Sequence, residues 1–169
     1  MTTVVHEGAL TLRFPAPWPV FKYDETPFYV KHAQLLAESK AVDVIAHEPS
    51  ANVLWLIELK DYRAQRRLKS LDLFDEIATK VRDTVAGIAL AQRRGGDTFC
   101  EFARTLRLDT SLRVALHLEQ PSKASKLYPA VTDRSNHRIK LRQKVRLVDP
   151  HPLVCEIRAM PAGLGWTVA

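Results

Sequence analysis

The chain has 169 residues, of which 46% are hydrophobic and 26% charged, a composition typical of a folded domain with its own core. Its formal net charge is +6, and no stretch is long and apolar enough to predict a membrane-spanning helix. The start, MTTVVHEGAL, lacks the basic segment of a signal peptide, and Cys100 and Cys155 form no close-spaced motif. We therefore expect a cytoplasmic protein with free thiols and a single domain over residues 1–169.

Hydrophobic periodicity predicts the following elements in chain order. GALTLRF alternates as a strand and is ended by the prolines of PAPWP, and YDETPFYVKHAQLLAESK predicts a helix with Pro27 in its first turn. Strands are predicted at about 41–47 and 53–60, then a helix from Leu71 to about Arg94, whose apolar residues recur every three or four positions. A shorter helix (CEFARTLRL), a strand (SLRVALHLEQP), a basic helical segment at about 121–148 and two short strands (VCEIRAM and GWTVA) follow. Mixed helices and strands predict an α/β or α+β fold.

The positive charge is concentrated in one segment. Residues 121–146 contain eight lysines and arginines against a single acid, Asp133, so the rest of the chain is close to neutral. Such focusing favours a polyanionic partner, most commonly nucleic acid. The alternative is a solvated helix face that keeps the protein soluble.

Three charges interrupt the apolar hairpin VDVIAHEPSANVLWLIELK, residues 42–60. If the turn is centred between Ser50 and Ala51, Asp43 lies directly opposite Glu58, and Lys60 shares the face of Glu58. Two opposed carboxylates repel, and a divalent cation such as Mg²⁺ or Mn²⁺ between them would remove the repulsion. The alternative is a structural ion-pair cluster of Asp43, Lys60 and Glu58.

The pattern VD at 42–43 followed by IELK at 57–60, on two adjacent predicted strands, resembles the PD-(D/E)xK superfamily of restriction-endonuclease-like nucleases. The resemblance extends over about residues 20–120 and departs from the motif at Val42, which replaces the proline. It implies a restriction-endonuclease-like mixed central sheet flanked by helices. The strand that should precede the Asp43 strand is then either GALTLRF or FYVKHAQ.

The resemblance also implies roles for residues of this chain. Asp43, Glu58 and the backbone carbonyl of Leu59 would hold Mg²⁺ or Mn²⁺, and Lys60 would assist the attacking water, so that Asp43, Glu58 and Lys60 form the catalytic set. An acid on the first helix would complete the site, and the candidates are Asp24, Glu25 and Glu38.

These implications give the hypothesis of a metal-dependent nuclease, cutting DNA in preference to RNA, either internally or from an end. The residues expected to bind nucleic acid are Arg63, Arg66, Arg67, Lys80, Arg138, Lys140, Arg142 and Lys144. The alternative is a nucleic-acid-binding or partner-binding protein that retains the fold without cleaving. A homodimer or a larger complex is left open, and no membrane partner is expected.

Two further polar groups have simpler interpretations. Glu76, Lys80 and Asp83 fall on one face of the long helix, where Glu76 and Asp83 fit an exposed helix surface and Lys80 could also reach the site. His117 and Glu119 share one side of a late strand and are expected to be a satisfied polar face. No cysteine and histidine spacing predicts a zinc site.

Overall fold

The computed structural model describes residues 1–36, 38–127 and 129–169, which form strands, α-helices and short 3₁₀ turns. The strands are β1 (Thr2–Glu7), β2 (Leu10–Pro15), β3 (Val20–Lys22), β4 (Val44–Glu48), β5 (Val53–Asp61), β6 (Ser111–Glu119), β7 (Leu153–Cys155) and β8 (Thr167–Val168). The helices are α1 (Pro27–Lys31), α2 (Leu73–Ala91), α3 (Thr98–Thr105) and α4 (His137–Val145). The 3₁₀ turns are Tyr23–Glu25, Ala33–Leu35, Arg134–Asn136 and Ile157–Ala159.

The larger sheet has the order β3-β4-β5-β6-β7 and is mixed. Its β3–β4 and β4–β5 pairs are antiparallel, whereas β5–β6 and β6–β7 are parallel. The α/β class predicted from the sequence is confirmed at this level. A restriction-endonuclease-like architecture stays a prediction.

Both faces of the larger sheet are covered, and this explains why β5 is apolar on both sides. Leu54 and Leu56 belong to a core formed with α2, α3 and α4, while Trp55 and Ile57 belong to a second core formed with β2 and β8. Because side chains alternate along a strand, Glu58 shares the face of Leu54 and Leu56 and therefore points toward the helices.

The second sheet, β1-β2-β8, was not predicted as a separate layer. In it Leu12 pairs with Val168, which joins the two ends of the chain. The first strand, β1, is largely exposed and carries little hydrophobic alternation, so its pairing with β2 and not its own sequence explains its extended form. The prediction of one central sheet is therefore incomplete.

The segment before β4 differs from the predicted long helix. Among the described residues of this segment, Pro27–Lys31 alone is α-helical, and Thr26 caps it by accepting a hydrogen bond from the backbone N–H of Tyr29 at 3.2 Å. The strand next to β4 is β3, so neither of the two segments proposed for that position occupies it. The sequence did not predict β3, because the prolines of PAPWP end a strand pattern just before Val20.

The predicted long helix is α2, which begins after Asp72 and ends at Ala91. The Asp72 carboxylate accepts hydrogen bonds from the backbone N–H groups of Phe74 (2.8 Å) and Asp75 (3.3 Å), so it caps the helix. Its apolar stripe packs against the sheet, and its partly buried Lys80 lies beside the charged end of the β4–β5 hairpin.

Candidate functional site

The β4–β5 hairpin places Asp43 opposite Glu58. Val44 pairs with Ile57 and Ile45 with Leu56, so the predicted register is confirmed. Asp43 lies immediately before β4, and its Oδ2 accepts a 2.7 Å hydrogen bond from the backbone N–H of Leu59. This bond holds one carboxylate across the hairpin from the other.

Two lysines, Lys60 and Lys80, join Asp43 and Glu58 in a charged cluster, called the centre below. Lys60 Nζ lies 2.5 Å from Glu58 Oε1. Lys80, which comes from α2, lies 2.6 Å from the same oxygen and 3.3 Å from Asp43 Oδ1. The ammonium group of Lys80 therefore bridges the two carboxylates. Lys80 was expected to contact nucleic acid, and the structure places it inside the centre with a side chain only 15% exposed.

Burial dominates the electrostatics of this centre. Burial, together with the neighbouring Asp43 charge, raises the pKa of Glu58 to about 7, while Lys60 and Lys80 act in the opposite direction. Although burial opposes their charged forms, the carboxylate of Glu58 raises the pKa of Lys60 and, with Asp43, the pKa of Lys80. Two lysines thus compensate two carboxylates, which is what a buried ionic cluster needs.

Of the three candidate acids for the first helix, Asp24 approaches the centre. It lies in the 3₁₀ turn Tyr23–Glu25, and its Oδ1 is buried with no hydrogen-bond partner among the described residues. Burial and the nearby Asp43 charge raise the pKa of Asp24 to about 6. Glu25 instead pairs with Lys22 at 2.5 Å, and Glu38 is exposed.

Glu76 differs from the exposed helix residue that the sequence suggested. It is 6% exposed and lies 2.5 Å from Lys69 and 2.8 Å from Arg67. Burial opposes ionisation, but the hydrogen bonds from Lys69 and Arg67 lower the pKa of Glu76 to about 2. The connector between β5 and α2, residues 62–72, is therefore held against α2 by these ion pairs, beside the centre.

A second polar cluster lies at the end of β6 and is fully inside the protein. His117 Nε2 is 2.9 Å from Glu119 Oε1, although the N–H direction is not aligned on that oxygen. On the other side of the ring, His117 Nδ1 lies 3.6 Å from Cys155 Sγ. Burial raises the pKa of the Cys155 thiol to about 12, so the thiol is neutral and unreactive at physiological pH. The expected His117–Glu119 pair is present, but His117 Nε2 has no hydrogen-bond partner among the described residues, and sequence reasoning missed Cys155.

Apart from Lys80, which lies in the centre, the predicted nucleic-acid-binding residues divide into two groups. Arg63 pairs with Asp61, Arg67 with Glu76 and Lys144 with Asp75, so these three already have anionic partners. The other four are exposed and have no ion pair within the described part of the chain: Arg66, Arg138, Lys140 and Arg142. These four are the cations available to an external anion.

Metal binding has a limited donor set at this centre. The predicted ligands Asp43 and Glu58 come together, and Glu58 Oε2 is buried with no hydrogen-bond partner in the part of the chain that the structure describes. Over residues 1–36, 38–127 and 129–169, however, no group of three or more histidines, cysteines or acids is arranged to hold a metal ion. Within the same residues, no helix is long and apolar enough to cross a membrane.

One curated protein shows clear similarity to this chain. It is described as a cysteine–tRNA ligase of Neisseria meningitidis serogroup A, serotype 4A (strain DSM 15465 / Z2491), and is 32% identical over an alignment of 169 residues. The alignment covers 80% of this chain but 24% of the ligase, so the chain spans about a quarter of that relative's length. No family model matches the chain, and no solved structure matches it.

This similarity overturns the nuclease hypothesis. The relative is named as a tRNA ligase, so the metal-dependent hydrolase activity inferred from Asp43, Glu58 and Lys60 is wrong, and the preference for DNA has no support. The physical reason is visible in the centre itself. Two acids and a lysine on adjacent strands also form a charge-compensated ion cluster once Lys80 joins them, and a short motif cannot distinguish the two arrangements.

Proposed function

We propose that this chain is an RNA-binding domain whose partner is tRNA, and that it serves a protein of the aminoacyl-tRNA ligase class. The observation that carries the proposal is the 32% identity, across 80% of the chain, to part of a cysteine–tRNA ligase. The proposal is limited to holding tRNA, because the aligned part is 24% of the ligase. RNA thereby takes the place of DNA as the nucleic acid that this chain is proposed to prefer.

The outer surface of α4 supports this proposal. His137, Leu141 and Val145 bury one side of the helix against the core. Successive residues of an α-helix are about 100° apart around its axis, so the row next to the buried side contains Arg138 and Arg142 and continues to Arg146 in the following turn. These arginines are exposed and have no ion pair among the described residues, so their charges face solvent in a line along the helix. A line of guanidinium groups is suited to the phosphates of one nucleic-acid strand.

A cleft beside α4 extends the same basic surface. It has a volume of about 290 Å³ and is lined by Arg66 and Lys69 from the connector, by Lys140 from α4, and by residues 129–132. Because Arg66 and Lys140 have no ion pairs in the described structure, an anion entering this cleft would meet two available cations. The proposed tRNA surface therefore runs from the connector across α4.

The centre of Asp43, Glu58, Lys60 and Lys80 supports that surface in this proposal by holding β5 and α2 together. Mg²⁺ is also a proposal here. Asp43, Glu58 and the Leu59 carbonyl offer the hard oxygens that Mg²⁺ prefers, and Glu58 Oε2 is buried without a hydrogen-bond partner among the described residues. Bound there, Mg²⁺ would supply a positive charge that compensates the two carboxylates.

The metal proposal has a direct test. Thermal melts of the wild type and of Lys80→Met, with and without Mg²⁺, report binding without any activity assay. Mg²⁺ binding predicts a higher Tm in both proteins, and the larger rise in Lys80→Met, where only the ammonium group of Lys60 still competes for the carboxylates. Identical melts in both proteins would exclude the site.

The RNA proposal is tested by fluorescence anisotropy with a labelled tRNA transcript, with duplex DNA of the same length as competitor. We expect tRNA to bind more tightly than DNA. With about four phosphate contacts, log K should fall with log salt with a slope of about −3 to −4.

Paired variants locate the interface. Replacing Arg138 and Arg142 by glutamine should reduce the salt slope by about two, because two phosphate contacts are lost. The matched control replaces Arg93 and Arg94, two exposed arginines after α2, and should leave the slope unchanged. A wild-type protein that binds duplex DNA as tightly as tRNA, or binds neither, contradicts the proposed function.

A further inference from the structure

Residues 121–127 and 129–130, which follow β6, belong to a loop whose two ends are held together by one side chain. Gln120 is 5% exposed, and its Oε1 accepts hydrogen bonds from the backbone N–H groups of Val131 (2.8 Å) and Thr132 (3.1 Å). Its Nε2 donates to the carbonyl of Thr132 at 3.3 Å. A single amide therefore closes the base of the loop, as in a compact Ω-loop.

This loop lies beside two polar clefts. Its first residues, with Lys123, line a cleft of about 380 Å³ whose other charged residues are Arg63, Arg158, Glu119 and the ion pair of Arg134 with Glu156. The residues that close it, 129–132, line the cleft of Arg66 and Lys140 described above. Residues of the loop and of its closing end thus line both clefts.

The loop itself carries charge of one sign. Between Pro121 and Thr132 the chain has two lysines, Lys123 and Lys126, and no acid. Both lysines are exposed, and neither makes an ion pair in the described structure. Exposed lysines on an unconstrained loop would lose much of their binding free energy to ordering, whereas a loop closed at its base is partly preorganised.

We propose that Gln120 is a positioning residue that holds the described residues of this loop in the form in which Lys123 and Lys126 contact the phosphates of the bound RNA. This inference rests on the proposed function. It adds a loop and a buried amide to a surface otherwise assigned to α4 and the connector. Gln120 does not touch the RNA and acts through the two lysines.

The test is a double-mutant cycle measured by tRNA anisotropy. Gln120→Leu removes all three hydrogen bonds at similar volume, and Lys123→Gln with Lys126→Gln removes the two charges. We expect Gln120→Leu to weaken tRNA binding about tenfold and to reduce the salt slope by one to about two. In the protein that already lacks both lysines, Gln120→Leu should have no further effect, since its role depends on them.

Controls separate positioning from general damage. Gln92→Leu removes a comparable half-buried amide, which donates to the carbonyl of Ala103 at 3.2 Å away from the loop, and should leave tRNA affinity unchanged. Limited trypsin digestion should cut Gln120→Leu faster than the wild type at Lys123 or Lys126. If Gln120→Leu does not fold, Gln120→Asn keeps the amide but is too short to make the same bonds.

The outcomes distinguish the two proposals. A wild type that does not bind tRNA overturns the proposed function. A wild type that binds tRNA, together with a Gln120→Leu variant of equal affinity, overturns the role of Gln120 and leaves the proposed function standing. The role of Gln120 is also overturned if Gln120→Leu weakens tRNA binding by the same factor whether or not Lys123 and Lys126 are present. The effect would then not depend on the two lysines.

Discussion

Replacing Lys80 with methionine removes the ammonium group that bridges Asp43 and Glu58 while keeping most of the side-chain volume. Lys60 is then left to compensate two carboxylates, which are 6% and 1% exposed. Removing one partner of a buried ion cluster costs about 3–5 kcal/mol of the free energy of unfolding. In a chain of this size, we therefore expect the Tm to fall by about 10 °C.

The assay is urea unfolding followed by circular dichroism at about pH 5 and about pH 8. The loss should be smaller at the lower pH, because protonated Glu58 no longer needs a cation. Lys69→Met is the matched control, since Lys69 also contacts a glutamate at 2.5 Å but is 63% exposed. It should cost no more than about 1 kcal/mol.

A double variant isolates the cause. Adding Glu58→Gln to Lys80→Met removes one of the two carboxylates, so the double variant should be more stable than Lys80→Met alone. The reasoning is refuted if Lys80→Met unfolds at the wild-type urea concentration. It is equally refuted if the loss is the same at both pH values.

Three further predictions concern stability. The pKa of Glu58 is raised to about 7. Its contribution to the free energy of unfolding is therefore full below about pH 4.5 and is lost as the pH rises through about 7, a decrease of about 3 kcal/mol. The free energy of unfolding of Glu58→Gln should not show this decrease. Asp149→Ala should cost about 2–3 kcal/mol in urea melts, because the carboxylate is 1% exposed and accepts from the backbone N–H groups of Val114 and His151, each at 2.8 Å. Gly87→Ala should cost about 1–3 kcal/mol, because the added Cβ would lie 2.1 Å from Tyr23 Oη, and Tyr23→Phe should recover part of that loss in thermal melts of the double variant.

The sequence by itself determined the local geometry of the hairpin. The register that places Asp43 opposite Glu58 depends on a short turn and on two-residue alternation, both of which are properties of neighbouring residues. The same holds for α2, whose apolar stripe and Asp72 cap lie within one continuous segment. Elements specified by contiguous residues can be predicted without knowing what packs against them.

Long-range packing decided what the charged residues do. Lys80 meets Glu58 across 22 positions of the chain, Cys155 meets His117 across 38, and β8 joins β2 from the opposite end of the sequence. No periodicity links such pairs, because their contact arises from the stacking of helices and sheets on β5 and β6. The nuclease hypothesis built on Asp43, Glu58 and Lys60 is contradicted by the similarity to part of a cysteine–tRNA ligase. The hairpin displays two acids and one lysine, and the tertiary structure brings Lys80 to them as a second compensating charge.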